Sequence, residues 1–295
     1  SYVMNKRLKN KIAKISLLLL FLLFTIFYVL GILNCSKENK KNIPEEIISK
    51  ISYIIPTSAY FIKNLQNFIE NVISIQGEDC IKRENNKKIF DKCKFSDSLI
   101  IEGQLLEEQN LKYILNITVS SNVSSNTSPE IKGEVSGEFS LSGSRFIFEN
   151  ISLHIVIMKN GLPQESFFSF SNISSIKFPG GYTLRNEQEK IGKINIEFGD
   201  KVQLDLINLD YTQYQRGNTI DATITGKIIS YGGCVGNNTY DVNITTKSEI
   251  RESGSGPSII IPVCPLEITG TINSSDIKIK KDLCLIPQNV CKFPE

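Results

Sequence analysis

The chain has 295 residues, with 33 Lys and Arg against 31 Asp and Glu, a single His and no Trp. A net charge of +2 leaves no polyanion footprint, so nucleic acid is not an expected partner. One imidazole deprives most metal and acid–base chemistry of its usual side chain; no cofactor, no metal and no enzymatic activity are expected.

Met4 reads as the initiating residue. Lys6, Arg7, Lys9, Lys11 and Lys14 form a basic flank, and Ile15–Leu33 follows as nineteen residues without charge. A positive flank before an apolar run directs the following chain out of the cytoplasm, so residues 1–34 are read as a signal peptide or signal-anchor. The run ends Ile32-Leu33-Asn34-Cys35, which resembles the lipobox of bacterial lipoproteins. The resemblance implies lipidation of Cys35 and removal of the residues before it. Asn34 stands where that family usually has a small residue, and nineteen apolar residues are long enough to span a bilayer uncleaved. Lipidation, an uncleaved anchor and ordinary cleavage therefore all remain open. Either of the first two makes the membrane a partner, through lipid or through an apolar helix, at a bacterial periplasm or cell surface.

Residues 35–43 are a polar tether, and 44–76 are expected to be helical. Pro44 suits a first turn, and Glu45 and Glu46 suit the positive end of the helix dipole. Pro56 is expected to interrupt the helix, with Thr57 capping a second one. Phe61, Leu65, Phe68, Ile69, Val72 and Ile73 recur at helical spacing, as for a helix packed on its own domain.

Six cysteines remain beyond Cys35: Cys80, Cys93, Cys234, Cys264, Cys284 and Cys291. An even number in an exported chain points to disulfides, and proximity favours Cys80–Cys93, Cys234–Cys264 and Cys284–Cys291. Residues 77–97 are read as a Cys-bridged loop.

Residues 98–295 change to a period of two. Leu111, Tyr113, Leu115, Ile117 and Val119, then Ile194, Ile196 and Phe198, then Tyr240, Val242 and Ile244 alternate with mostly polar residues. Such runs predict about ten to twelve half-buried antiparallel strands, hence a mainly β fold: a curved meander or sandwich-like sheet with an N-terminal helical segment and a Cys-braced C-terminal part. The Ser/Asn-rich stretch 120–128 and the stretch 252–257 read as loops. Gly103, Gly137, Gly192, Gly226 and Gly270 each lie two residues before an apolar position. Glycine inside a strand marks a bend, a bulge or a close approach, and the irregular spacing excludes a fixed-period solenoid.

Cys234, the run Tyr240-Asp241-Val242-Asn243-Ile244-Thr245-Thr246, Cys264-Pro265 and Gly270-Thr271-Ile272 resemble the C-terminal pattern of uncharacterised β-rich bacterial secreted lipoproteins. The resemblance implies location and a Cys234–Cys264 bridge, and no activity.

Candidate chemistry is sparse. His154 is expected to be an ordinary strand residue, and Gly232-Gly233-Cys234-Val235-Gly236 a turn. Asp205 and Asp210 form a carboxylate pair of the kind a glycosidase would need to face each other. Nine Asn-x-Ser/Thr sequons, at Asn34, Asn116, Asn122, Asn126, Asn150, Asn172, Asn237, Asn243 and Asn273, mark glycosylation only in a host with the machinery. The resulting expectation is an anchored extracytoplasmic lipoprotein with a non-catalytic β domain, acting in structure, adhesion or assembly with a protein partner or itself. The alternative is an envelope carrier holding a lipid or other apolar ligand in a curved sheet. A free apolar groove on the concave face would favour the carrier, and interdigitated side chains the structural role.

Overall fold

Among the described residues, period-two patterning is realised as one antiparallel sheet of fourteen strands. The computed structural model describes residues 43–76, 79–121, 130–252 and 260–293. Cys35, the apolar run Ile15–Leu33 and most of the two expected loops lie outside the described residues. A hairpin, β1 (Ile81–Glu84) and β2 (Lys87–Lys94), leads into β3 (Leu99–Glu108), β4 (Lys112–Ser121), β5 (Ile131–Ser142), β6 (Arg145–Lys159) and β7 (Leu162–Phe178). The chain continues through β8 (Gly181–Asn186), β9 (Gly192–Phe198), β10 (Asp200–Arg216), β11 (Thr219–Ser230), β12 (Asn238–Ile250), β13 (Val263–Ile272) and β14 (Ser275–Lys280). Strands adjacent in sequence are neighbours in the sheet, apart from one shared position between β7 and β10. There β9 pairs with one end of each long strand and β8 with the other, so two short strands fill a single rung. Residues 77–97, expected as a loop, thus contribute the β1–β2 hairpin.

The helix is a single element, α1 (Glu45–Ser74), and runs through Pro56 rather than stopping there. Proline inside a helix removes one hydrogen bond and costs roughly 3 kcal/mol. Burial offsets that cost. Ile51 to Ala59 are nine consecutive buried residues, more than two full turns, so the chain surrounds this part of the helix on every side. Thr57, expected as a cap, instead has its Oγ1 accept a hydrogen bond from the Val263 amide at 3.1 Å.

Beyond Ala59 the helix is amphipathic, with Phe61, Ile62, Leu65, Ile69 and Val72 buried against the sheet. Its contacts run from β13, through Thr57 and Val263, past β7 in the middle of the sheet to β2 near the first edge. Phe61 packs on Phe168 of β7 at 4.3 Å between ring centroids, and Phe68 packs on Phe95 beyond β2 at 4.9 Å. Buried Gln66 accepts a hydrogen bond from Ser175 of β7. Lys88 of β2 donates to the Ile73 carbonyl at 3.0 Å and to that of Ile75, closing the helix C-terminus with a cation where the dipole favours one. The inner face of the sheet is therefore occupied by its own helix. From β4 to the helix the interior is a continuous series of ring contacts: Tyr113–Phe139 (5.0 Å), Phe139–Phe146 (4.9 Å), Phe146–Phe148 (4.5 Å), Phe148–Phe170 (4.8 Å), Phe170–Phe168 (5.4 Å) and then Phe61.

Four of the five glycines noted in the sequence are the points of closest strand approach. Gly103, Gly137, Gly226 and Gly270 have φ between +128° and +138°. A Cβ on Gly137 would lie 1.8 Å from the Asn150 carbonyl oxygen of the neighbouring strand. Gly192 has no such backbone, and meets the Asn186 Cβ at 3.0 Å instead.

All six described cysteines are paired. Cys80–Cys93 forms as expected, but the other two bridges are Cys234–Cys291 and Cys264–Cys284. Proximity in sequence fails because the C-terminal segment returns to the start of β10. The Asp200 amide donates to the Lys292 carbonyl at 3.0 Å, and the Lys292 amide donates back to the Asp200 carboxylate at 2.5 Å. Cys291 is thereby carried to the turn 233–235, where a Cβ on Gly233 would meet the Lys201 carbonyl oxygen at 1.7 Å. Phe293 then stacks near Tyr53 of the helix, with centroids 6.0 Å apart.

Asp282 holds the turn before Cys284. It accepts from the Cys284 amide at 3.1 Å and from the Arg251 guanidinium, which also contacts Glu249 at 3.2 Å. The hydrogen bond from Arg251 is the largest cause holding the Asp282 carboxyl below the usual range, with partial burial opposing it. The folded state therefore binds fewer protons than the unfolded chain, whose carboxyl titrates near ~3.9. The stabilisation is fully present above that value and is lost as pH falls through the folded one. Asp282→Asn is expected to lower the thermal midpoint at neutral pH and to flatten its decline below about pH 4. Thermal scans from neutral to acid pH measure both effects; parallel curves for the two proteins would refute the linkage.

Candidate functional site

With the inner face filled, the outward positions of the long strands carry the exposed chemistry. Antiparallel register aligns them into rows that cross the sheet. One row is Ser136 (β5), Ser152 (β6), Ser169 (β7), Asn195 (β9) and Gln203 (β10), each opposite the next. The adjacent row is Glu134, His154, Phe167, Glu197 and Lys201 on the same five strands. Short serines between taller neighbours leave an open trough of about 500 Å³. Four strand spacings of about 4.8 Å give it a run of roughly 19 Å.

The trough is polar but has one aromatic wall. Phe167 is 44% exposed and lies parallel to the His154 ring, with centroids 4.5 Å apart and planes within 1°. His154 is thus an outward strand residue on the wall of the trough. Its Nδ1 is 3.8 Å from Glu134 and its Nε2 3.6 Å from Glu165. The Nε2 is buried, with no hydrogen-bond partner among the described residues. Asn195 donates to the Ser169 hydroxyl at 3.4 Å, which orients the floor.

Glu134 and Glu197, which line the trough, each have a lysine beside them, while Glu165 has the His154 imidazole. Lys201 lies 3.4 Å from Glu197, and Lys132 lies 3.7 Å from Glu134. Along the row these two Glu are three strand spacings apart, about 14 Å between backbones.

The two carboxylates singled out from sequence, Asp205 and Asp210, each have partners of their own. Asp205 is 3.5 Å from Lys193 and accepts from the Tyr231 hydroxyl at 2.9 Å, which raises the pKa of that phenol. Asp210 is 3.0 Å from Arg185. The bulge between Ile207 and Asp210 brings both to the outer face, five residues apart along β10. The Gly232–Gly236 stretch is a turn, as expected. Of the sequons, Asn116, Asn150, Asn237, Asn243 and Asn273 are exposed, Asn172 is half-buried and donates to the Ile191 carbonyl at 3.0 Å, and Asn34, Asn122 and Asn126 lie outside the described residues. Among the described residues no cluster of His, Cys, Asp and Glu could hold a metal ion, and no helix is long and apolar enough to cross a membrane.

The trough itself went unnoticed in the sequence. Its signal is the pair Phe167-Phe168 inside a strand. Adjacent residues point to opposite faces, so one of two consecutive Phe must meet solvent. Comparisons with family models, curated proteins and solved structures find no match.

Proposed function

We propose that this is a membrane-anchored extracytoplasmic protein whose non-catalytic β domain acts as a display scaffold in structure, adhesion or assembly at the cell envelope. The observation that carries this reading is the filled inner face. A carrier needs a free apolar concavity, whereas here α1, enclosed on all sides from Ile51 to Ala59, occupies it. Recognition is left to the outer face. Three disulfides support an oxidising compartment.

Cys35 carries the anchor in the lipidated form. Cys35→Ala is then expected to abolish labelling by an acyl-chain probe and to leave an unprocessed chain, still membrane-bound through Ile15–Leu33. Processing and membrane retention unchanged by the substitution, with a native mass that still includes residues 4–34 and no acyl group, would instead identify Ile15–Leu33 as an uncleaved anchor. Recovery of the native chain in the cytosolic fraction would sink the proposal.

A further inference from the structure

We infer that the outer-face trough is a binding site for an uncharged oligosaccharide of about four sugar residues, which runs across the strands from β5 to β10. The inference rests on the reading of the outer face as the recognition surface and adds its ligand class.

Three properties of the trough select that chemistry. First, the trough lies in the middle of the sheet, where the backbone N–H and C=O groups are committed to neighbouring strands on both sides. A peptide strand finds no main-chain partner there, since strand addition needs an open edge. Recognition falls to side chains. Second, those side chains are hydroxyls and amides at every strand spacing: Ser136, Ser152, Ser169, Asn195 and Gln203. Each donates and accepts, as sugar hydroxyls do, and the strand spacing is close to the length of one sugar residue in an extended chain. An apolar ligand would strand these groups without partners. Third, Glu134 and Glu197 border the trough and disfavour an anionic ligand, while each already has a lysine beside it, Lys132 and Lys201, that a cationic ligand would have to displace. The Phe167 ring, covered on one face by His154, supplies its free face as the apolar surface on which the C–H face of a pyranose packs. The stack with His154 holds that ring upright, so little side-chain freedom is lost on binding.

The full-length protein in detergent, titrated by isothermal calorimetry with cellotetraose, chitotetraose, a sulfated tetrasaccharide and tetralysine, tests the inference. Saturable binding of cellotetraose or chitotetraose is expected, in the range of about 0.1–1 mM, with the preferred one distinguishing a plain hexose chain from an N-acetylhexosamine chain. Phe167→Ala is expected to weaken it at least ~10-fold, and Ser152→Lys, which fills the floor, to abolish it. Both positions face solvent, and an unchanged thermal midpoint verifies the fold; should Phe167→Ala shift it, Ser152→Lys alone decides. No saturable binding of either neutral probe up to about 10 mM, binding indifferent to Ser152→Lys, or stronger binding of the sulfated or cationic probe would each overturn the inference. None of these outcomes bears on anchoring or compartment, which the Cys35 experiment reads separately.

Discussion

Gly137→Ala is expected to destabilise the fold by at least about 3 kcal/mol. The backbone of Gly137, at φ +138°, lies in a region that only glycine occupies at low cost. Strain alone accounts for about 1–3 kcal/mol. The larger problem is space: the new Cβ would lie 1.8 Å from the Asn150 carbonyl oxygen and 2.9 Å from the Ile151 Cα. Both are backbone atoms of β6, so relief requires moving β5 away from β6, where the two aromatic partners Phe139 and Phe148 lie opposite each other. Gly143 provides the control. It also has positive φ (+61°), but a Cβ there meets nothing within 4 Å. Gly143→Ala should therefore cost only the left-handed backbone penalty, about 1–2 kcal/mol. Urea midpoints of the two variants measure the contrast. Equal losses would mean that strand approach at Gly137 does not shape the sheet.

Removing the Cys234–Cys291 bridge, as the double Ala variant, is expected to cost about 4 kcal/mol in the chain-entropy description. It closes the longest loop of the three, 57 residues, against 20 for Cys264–Cys284 and 13 for Cys80–Cys93. The same description gives roughly 3 kcal/mol for each shorter loop. The bridge also retains the C-terminal segment on the helix, where Phe293 approaches Tyr53. Its loss should expose the otherwise enclosed stretch Ile51–Ala59, which hydrogen exchange of those amides reads directly. The Cys80–Cys93 double variant should leave exchange there unchanged, because that bridge ties β2 to the residue before β1 at the far edge of the sheet.

What was legible in the sequence follows from how local each signal is. Tyr113, Leu115 and Ile117, and likewise Ile194, Ile196 and Phe198, face inward as their alternation requires, because side-chain direction in a strand is a local property. The first alternating residue, Leu111, is an exception: with φ +55° it sits in the turn before β4 and is exposed. Pro56 misled because its local cost is real, while the compensation is tertiary, coming from chain that encloses the helix on every side. The pairings of Cys234, Cys264, Cys284 and Cys291 were equally out of reach. They depend on the C-terminal segment reaching the start of β10, a contact between residues 92 apart. The intra-strand glycines told of close approach, yet not that Asn116, Asn150, Asn208 and Asn243 would be the residues approached. The trough needs the register of five strands at once, and no single stretch of sequence contains it.

The central claim is an extracytoplasmic β domain locked around its own helix by three bridges. Alkylation of the native protein in intact cells, without reduction and followed by intact-mass measurement, tests it most directly. The account predicts no alkylation at Cys80, Cys93, Cys234, Cys264, Cys284 or Cys291, and six more additions once the protein is reduced and unfolded, whatever the state of Cys35. Six additions to the unfolded but unreduced protein would contradict it, by showing free thiols and hence a reducing compartment.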